Sequence, residues 1–130
     1  MTVDCVLRES TPEEYLKIIS INFQSWGHPL SPKEYIDREH ILAELSKDVR
    51  QHWVLMRSDE ILASCETYKR PLVAKIEGQI VNGYSYGVAS VFVFEELRGN
   101  GYAQIMMKMF YEKIFSGKDD LIGNINTLKN

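Results

Sequence analysis

Two cysteines in 130 residues, Cys5 and Cys65, are too few for a disulfide scaffold. Both fall in strand-like segments, where a reduced thiol packs as a small hydrophobe. A nucleophilic Cys65 is the competing reading, but no histidine is placed by sequence to activate it. The three histidines, His28, His40 and His52, lack metal-ligand spacing among themselves or toward the cysteines, so no metal site is expected. No apolar run approaches the length of a membrane-spanning helix. The N-terminus has acidic residues and a helix start where a secretory leader would be basic and then apolar. The 15 Lys and Arg are scattered and the net charge is −3, which gives no general attraction to nucleic acid or anionic lipid. These absences lead to the expectation of a cytoplasmic protein. The length suits one domain with a real core and is short for two, and no repeat or low-complexity tract divides it.

What is present reads as alternating strand and helix signals. Residues 3–8 alternate well enough for a short strand. Thr11-Pro12-Glu13-Glu14 then combines a capping box with proline at the first helical position. Tyr15, Ile18, Ile19, Phe23 and Trp26 follow at helical spacing, and Gly27-His28-Pro29 ends the helix. Ser31-Pro32-Lys33-Glu34 repeats the start signal, with Tyr35, Leu42 and Leu45 as the next apolar stripe. From Trp53 to Met56 a compact apolar run predicts a strand; Ser58-Asp59 is turn chemistry, and Ile61 to Tyr68 returns as the hairpin partner. Residues 69–84, with Pro71, Gly78, Asn82 and Gly83, are expected to form a loop, although Leu72 to Ile76 could extend the sheet. Tyr86 to Phe94 is the strongest strand signal. Gly101 to Phe115 is the strongest helix, with Ala103, Met106, Met107, Phe110 and Ile114 on one face and Gln104, Lys108 and Glu112 on the other. After Ser116-Gly117 the chain turns polar, and Asp120 to Leu128 could add a short strand.

The stretch that carries chemistry is Arg98-Gly99-Asn100-Gly101-Tyr102-Ala103, between the strongest strand and the strongest helix. A strand, a glycine turn and a helix start present bare backbone N–H groups to an anion, and the helix dipole favours negative charge there. Gly99 and Gly101 permit positive φ and a close approach by a ligand, and Ala103 keeps that approach open. No lysine followed by Ser or Thr comes after the glycines, so this is not a Walker-type loop. The third glycine and the early strand of a dinucleotide fingerprint are also missing. A plain strand-to-helix turn would share the glycine spacing; R-x-x-G-x-A behind a β-branched and aromatic strand narrows the reading to a pyrophosphate cradle.

That pattern resembles motif A of the GNAT acetyltransferases, which bind the pyrophosphate of acetyl-coenzyme A (acetyl-CoA). The segments Ser25-Trp26-Gly27, Trp53-Val54-Leu55, Leu62 to Tyr68 and Ser90 to Val93 are similar to the fungal lysine N-acetyltransferase branch, over residues 5–115. The resemblance implies an α+β fold with a mixed, mostly antiparallel sheet flanked by helices. Its order is strand, helix, helix, three strands, helix, lacking the usual fifth strand, fourth helix and closing hairpin. Residues 1–116 would form the acetyl-CoA-binding portion, and 117–130 a tail or short extra strand.

Carried over by position, Val91, Phe92 and Val93 supply the strand backbone that pairs with the pantetheine amides. Arg98, Gly99, Asn100, Gly101, Tyr102 and Ala103 form the pyrophosphate turn, where Arg98 either pairs with phosphate or is a solvated cation near Glu95 and Glu96. The implied reaction is direct attack of a primary amine, lysine or a related amino acid, on the thioester. Its oxyanion is held by a backbone donor of the fourth strand. Glu66 is nominated as general base, on one face with Leu62, Ser64 and Tyr68, where partial burial would raise its pKa; a surface glutamate is the other reading. Glu95 is the next candidate. Trp26, His28 and Tyr35 would border an acceptor pocket, unless they are core and ordinary loop residues. The alternatives in function are a catalytically impaired CoA-binding remnant and an interaction module. The last would pair an open sheet edge with a second copy or a partner chain.

Overall fold

The structure, a computed structural model, describes residues 4–115. The elements run β1 (Val6–Glu9), α1 (Pro12–Trp26), α2 (Pro32–Leu45), β2 (Arg50–Arg57), β3 (Glu60–Ile76), β4 (Gln79–Val93), a 3₁₀ turn (Glu95–Leu97) and α3 (Tyr102–Phe115). The four strands form one sheet in the order β1-β2-β3-β4, every pair antiparallel. The expected α+β arrangement is therefore present. The expectations for residues 117–130, including the strand from Asp120 to Leu128, lie outside the described residues. No described helix is long and apolar enough to cross a membrane.

Local chemistry starts the first two helices. Thr11 Oγ1 accepts from the Glu14 N–H at 3.2 Å while Glu14 Oε1 accepts from the Thr11 N–H at 2.8 Å. Ser31 and Glu34 repeat the exchange at 3.2 and 3.1 Å. Both helices have proline in the first turn, so each start is fixed by side chains and by φ. Their apolar stripes are narrower than expected. In α1, Ile18 and Ile19 are buried, but Trp26 at the far end is 43% exposed. In α2, Tyr35 is buried against Phe23, whereas Leu42 and Leu45 are exposed, because α2 packs chiefly on α1 and not on the sheet.

Residues 69–84 are not a loop. β3 and β4 pair without a break from Glu66↔Ala89 to Ile76↔Gln79, a hairpin that runs well past the end of β2 at Arg50↔Tyr68. Glu77 (φ 48°) and Gly78 (φ 80°) supply consecutive left-handed residues, the geometry of a two-residue hairpin connection. Pro71 falls beyond the β2 neighbour, on a two-stranded ribbon where proline is tolerated as on an edge. Glycine and proline there punctuate a ribbon, which composition alone reads as a loop.

The sheet has an apolar layer on each face. On one, Tyr102, Met106 and Phe110 of α3 pack with Leu7, Trp53, Leu55, Ala63 and Cys65, and the Trp53 indole N–H donates to Thr67 Oγ1 at 2.7 Å. On the other, Ile18 of α1 packs with Val54, Met56, Ile61, Phe92 and Phe94. The buried seam of α3 thus begins at Tyr102, not Ala103. Met107 and Ile114 instead line an apolar groove of about 350 Å³ against Leu72, Tyr84 and Val88 of the hairpin. Met106→Ala is expected to lower the unfolding free energy by about 2–5 kcal/mol. Met107→Ala should cost less, and urea denaturation of the two variants checks the difference.

Candidate functional site

β4 ends at Val93, and a tight turn carries the chain to α3. Leu97 N–H donates to the Phe94 carbonyl at 2.8 Å, and Asn100 Nδ2 to the Leu97 carbonyl at 2.8 Å. Gly99 (φ 86°) and Gly101 (φ 78°) are both left-handed, and a Cβ at either would meet nothing within 4 Å. The backbone conformation, not crowding, demands glycine, and the space above the turn is open. The first bond of α3 runs from the Ile105 N–H to the Gly101 carbonyl at 3.0 Å. The N–H groups of Tyr102, Ala103 and Gln104 precede it and have no acceptor within the helix. A cavity of about 300 Å³ lies over this turn, bounded by Val93, Leu97, Gly99, Gly101, Ala103 and Gln104. Free donors, a helix dipole and open space together fit a phosphate.

Two residues of the turn have further tasks. Arg98 Nε donates to the Val93 carbonyl at 2.9 Å and its guanidinium lies 5.4 Å from the Phe92 ring centre, so it braces the end of β4. Tyr102 is buried, and its hydroxyl accepts from Arg57 Nη1 at 2.8 Å. Its contribution to an anion site is its backbone N–H.

Upstream of the turn, β4 carries a bulge. Ser64 pairs with Phe92 and Glu66 with Ala89, so Cys65 faces both Ser90 and Val91, and Ser90 has φ 53°. A bulge withdraws a backbone group from the ladder and re-aims it. Among the described residues β4 is the outermost strand on its side, which leaves the edge of Val91 and Val93 open. The bulge, residues 91–93 and the glycine turn follow one another along this edge, roughly 10 Å from Ser90 to Val93 at the usual strand rise.

Beside the bulge is a buried polar cluster. Glu66 is 9% exposed; Arg50 Nη2 donates to its Oε1 at 2.5 Å, and the Tyr68 hydroxyl to its Oε2 at 3.1 Å. The same Arg50 Nη2 reaches the Tyr15 hydroxyl at 3.1 Å, with the guanidinium 5.0 Å from that ring's centre. Burial opposes the Arg50 charge, but the Glu66 carboxylate outweighs it and the Arg50 pKa rises. Across from Glu66, His52 Nδ1 meets Ser10 Oγ at 2.8 Å, and burial pushes its pKa down to about 4. Burial pushes the Cys65 thiol up to about 12, which fits a packed thiol and not a nucleophile.

The sequence nominated Glu66 but had no means of finding Arg50, 16 residues earlier and joined to it only through strand pairing. Of the residues expected around an acceptor pocket, Trp26 stacks edge-on against Phe92 with centroids 5.9 Å apart, and His28 is exposed. Tyr35 is 1% exposed and belongs to the helix-helix core, because its ring faces Phe23. Glu95 is exposed at the start of the 3₁₀ turn. Among the described residues no group of His, Cys, Asp and Glu could hold a metal ion.

No family model matches the chain. Over 108 residues it is 37% identical to the lysine acetyltransferase of Yarrowia lipolytica; the match covers 78% of this chain and 28% of that protein. The chain thus spans less than a third of the length of that relative. Among solved structures, a possible acetyltransferase from Clostridium difficile is similar with a TM-score of 0.62 at 15% identity, covering 88% of this chain and 74% of that one. A GNAT family acetyltransferase from Staphylococcus aureus is similar with a TM-score of 0.56 at 14% identity, covering 83% and 76%. A predicted acetyltransferase from Clostridium acetobutylicum, solved with acetyl-CoA, has a TM-score of 0.52 at 15% identity and coverages of 84% and 72%.

The cluster makes a prediction about acid. A neutral, half-buried His52, with a pKa near 4 against an ordinary 6.5, means that the unfolded chain binds more protons between those values. Stability should therefore fall as pH drops from 6.5 toward 4, by on the order of 2 kcal/mol. Urea midpoints across that range should show the loss, and His52→Gln should flatten the slope.

Proposed function

We propose that this chain, which has the fold of the GNAT acetyltransferases and is related in sequence to a lysine acetyltransferase, binds acetyl-CoA and transfers its acetyl group to a primary amine. The observation that carries the reading is the open left-handed turn at Gly99 and Gly101 on the N-terminus of α3, at the end of a strand edge that is unpaired among the described residues. In this reading the pyrophosphate sits on the N–H groups of Gly99 to Ala103. The pantetheine arm runs back along Val91, Phe92 and Val93 as an added strand would, which brings the thioester to the bulge at Ser90. There a backbone donor released from the ladder stabilises the negative charge that develops on the carbonyl oxygen.

The amine must lose a proton as it attacks, and Glu66 receives it. Its place across from Ala89, one residue before Ser90, supports that role. Free lysine or a related amino acid is the favoured acceptor, on the strength of the relative's activity. The two free cysteines fit a reducing, cytoplasmic compartment. The open edge of β4 is also where a second copy or a partner chain would add.

Two measurements test this. Coenzyme A or acetyl-CoA at about 100 times its dissociation constant should stabilise the protein by about 2.7 kcal/mol, read as a rise in Tm. Ala103→Glu should abolish that rise while the protein still folds, because a carboxylate in the first turn suits the helix dipole but repels phosphate. Release of free thiol from acetyl-CoA should then require an amine, with lysine compared against polyamines and peptide N-termini. Ligand stabilisation without thiol release would assign coenzyme binding without transfer.

A further inference from the structure

Acetyl transfer makes no use of the apolar groove between α3 and the β3–β4 hairpin. The groove has a volume of about 350 Å³ and is walled by Tyr84, Tyr86 and Val88 of β4 and by Met107, Tyr111 and Ile114 of α3. That volume falls within the roughly 300–1,000 Å³ of small-molecule pockets. Phe110 is buried at its base, edge-on to the Tyr86 ring with centroids 5.7 Å apart. Val88 and Tyr111 are exposed, so apolar surface on both walls stands open among the described residues.

The groove continues the line of the coenzyme. α3 runs back over β4: its first turn stands beside Val93, and its C-terminal half faces Val88, Tyr86 and Tyr84. A thioester with its pyrophosphate on the α3 N-terminus and its pantetheine along Val93 to Val91 arrives at Ser90 heading toward Val88. At the usual strand rise Val88 lies about 7 Å farther on and Tyr86 about 13 Å. An acetyl group ends short of the groove, whereas an octanoyl chain enters it. The two faces of the sheet also separate the reactants. Glu66, with Arg50 and Tyr15 around it, lies on the α1 side. Thr67, the partner of Val88, meets Trp53 on the α3 side, where Tyr86 meets Phe110. An amine that gives its proton to Glu66 approaches from one face while the tail of the donor extends along the other.

We propose that the groove is an acyl-chain subsite, and that the donors of this protein include coenzyme A thioesters of unbranched, medium-length fatty acids. The inference rests on the acetyl-transfer reading above, from which it takes the track of the coenzyme. The reaction at the carbonyl is unchanged. The nitrogen–carbon bond forms, the carbon–sulfur bond breaks with its electron pair on sulfur, and the proton that nitrogen loses balances the one that the thiol gains. The products are the N-acyl amide and free coenzyme A. Apart from Ser85 and the tyrosine hydroxyls, the side chains lining the groove are apolar, which suits an aliphatic tail.

The test uses the full chain and the series acetyl-, butanoyl-, hexanoyl- and octanoyl-CoA, with dissociation constants taken from the concentration dependence of Tm. Each methylene that the groove covers is expected to tighten binding about fourfold, so octanoyl-CoA should bind at least about tenfold more tightly than acetyl-CoA. Val88→Glu and Tyr111→Glu each put a carboxylate on one wall at an exposed position. Both should erase that advantage and leave the dissociation constant of acetyl-CoA unchanged. Lysine-dependent thiol release should also proceed with octanoyl-CoA as donor. Octanoyl-CoA that binds no better than acetyl-CoA would overturn the subsite and leave acetyl transfer standing, as would an advantage that survives in both variants. Thiol release from acetyl-CoA but none from octanoyl-CoA would overturn the wider donor class. A dimer that either variant dissociates would seat a second copy in the groove and overturn the subsite as well. No stabilisation by any of the thioesters would overturn the coenzyme reading itself, and the subsite with it.

Discussion

The left-handed backbone at Gly99 and Gly101 is the constraint on which the rest of this structure turns. Those two residues let the chain leave the sheet at Val93 and enter α3 within a few residues, with the first helical N–H groups aimed at open space. Their position also decides how α3 lies on the sheet. Tyr102, Met106 and Phe110 reach the core of Leu7, Trp53, Leu55 and Cys65 because the helix starts where it does. A branched side chain at either glycine would move the helix as well as the anion site. Stability and the proposed binding are thus linked through the same dihedral angles.

The polar cluster on the opposite face follows a different logic. Taking Arg50 and Glu66 out of water costs solvation that their mutual attraction only partly offsets, so the pair is a poor device for stability alone. What it provides is placement. Arg50 is fixed by Tyr15 from one side and by Glu66 from the other, and Glu66 is fixed in turn by Tyr68. Four side chains from two strands and one helix are held in one geometry next to a bulge in the neighbouring strand. Such an arrangement is expected where chemistry needs a carboxylate in a defined orientation. By comparison, the buried Asn22 Oδ1 in α1 has no hydrogen-bond partner among the described residues, which is a cost to stability.

The β3–β4 hairpin accounts for the remaining surface. Among the described residues its outer part has β4 as the only partner of β3, and it exposes Val73 and Ile80. The apolar groove between the hairpin and α3 is lined by Tyr84, Tyr86 and Val88 of β4, the outermost strand on its side among the described residues. Unpaired strand edges beside apolar surface favour association with further chain. The proposed pantetheine pairing would use only the C-terminal end of that edge.

The sequence alone determined whatever depends on neighbours in the chain. Capping boxes at Thr11 and Ser31, the glycine turn before α3 and the strand leading to it were all readable, because each is set by side chains within a few residues of the backbone they fix. The resemblance drawn from those motifs agrees with the fold observed. Residues 69–84 misled because glycine and proline mark both loops and ribbons, and only pairing distinguishes them. Tertiary structure alone decided that Arg50 meets Glu66 and that Tyr35 turns inward. Those facts come from strand register and helix packing, which bring together residues far apart in sequence and leave no local trace in either partner.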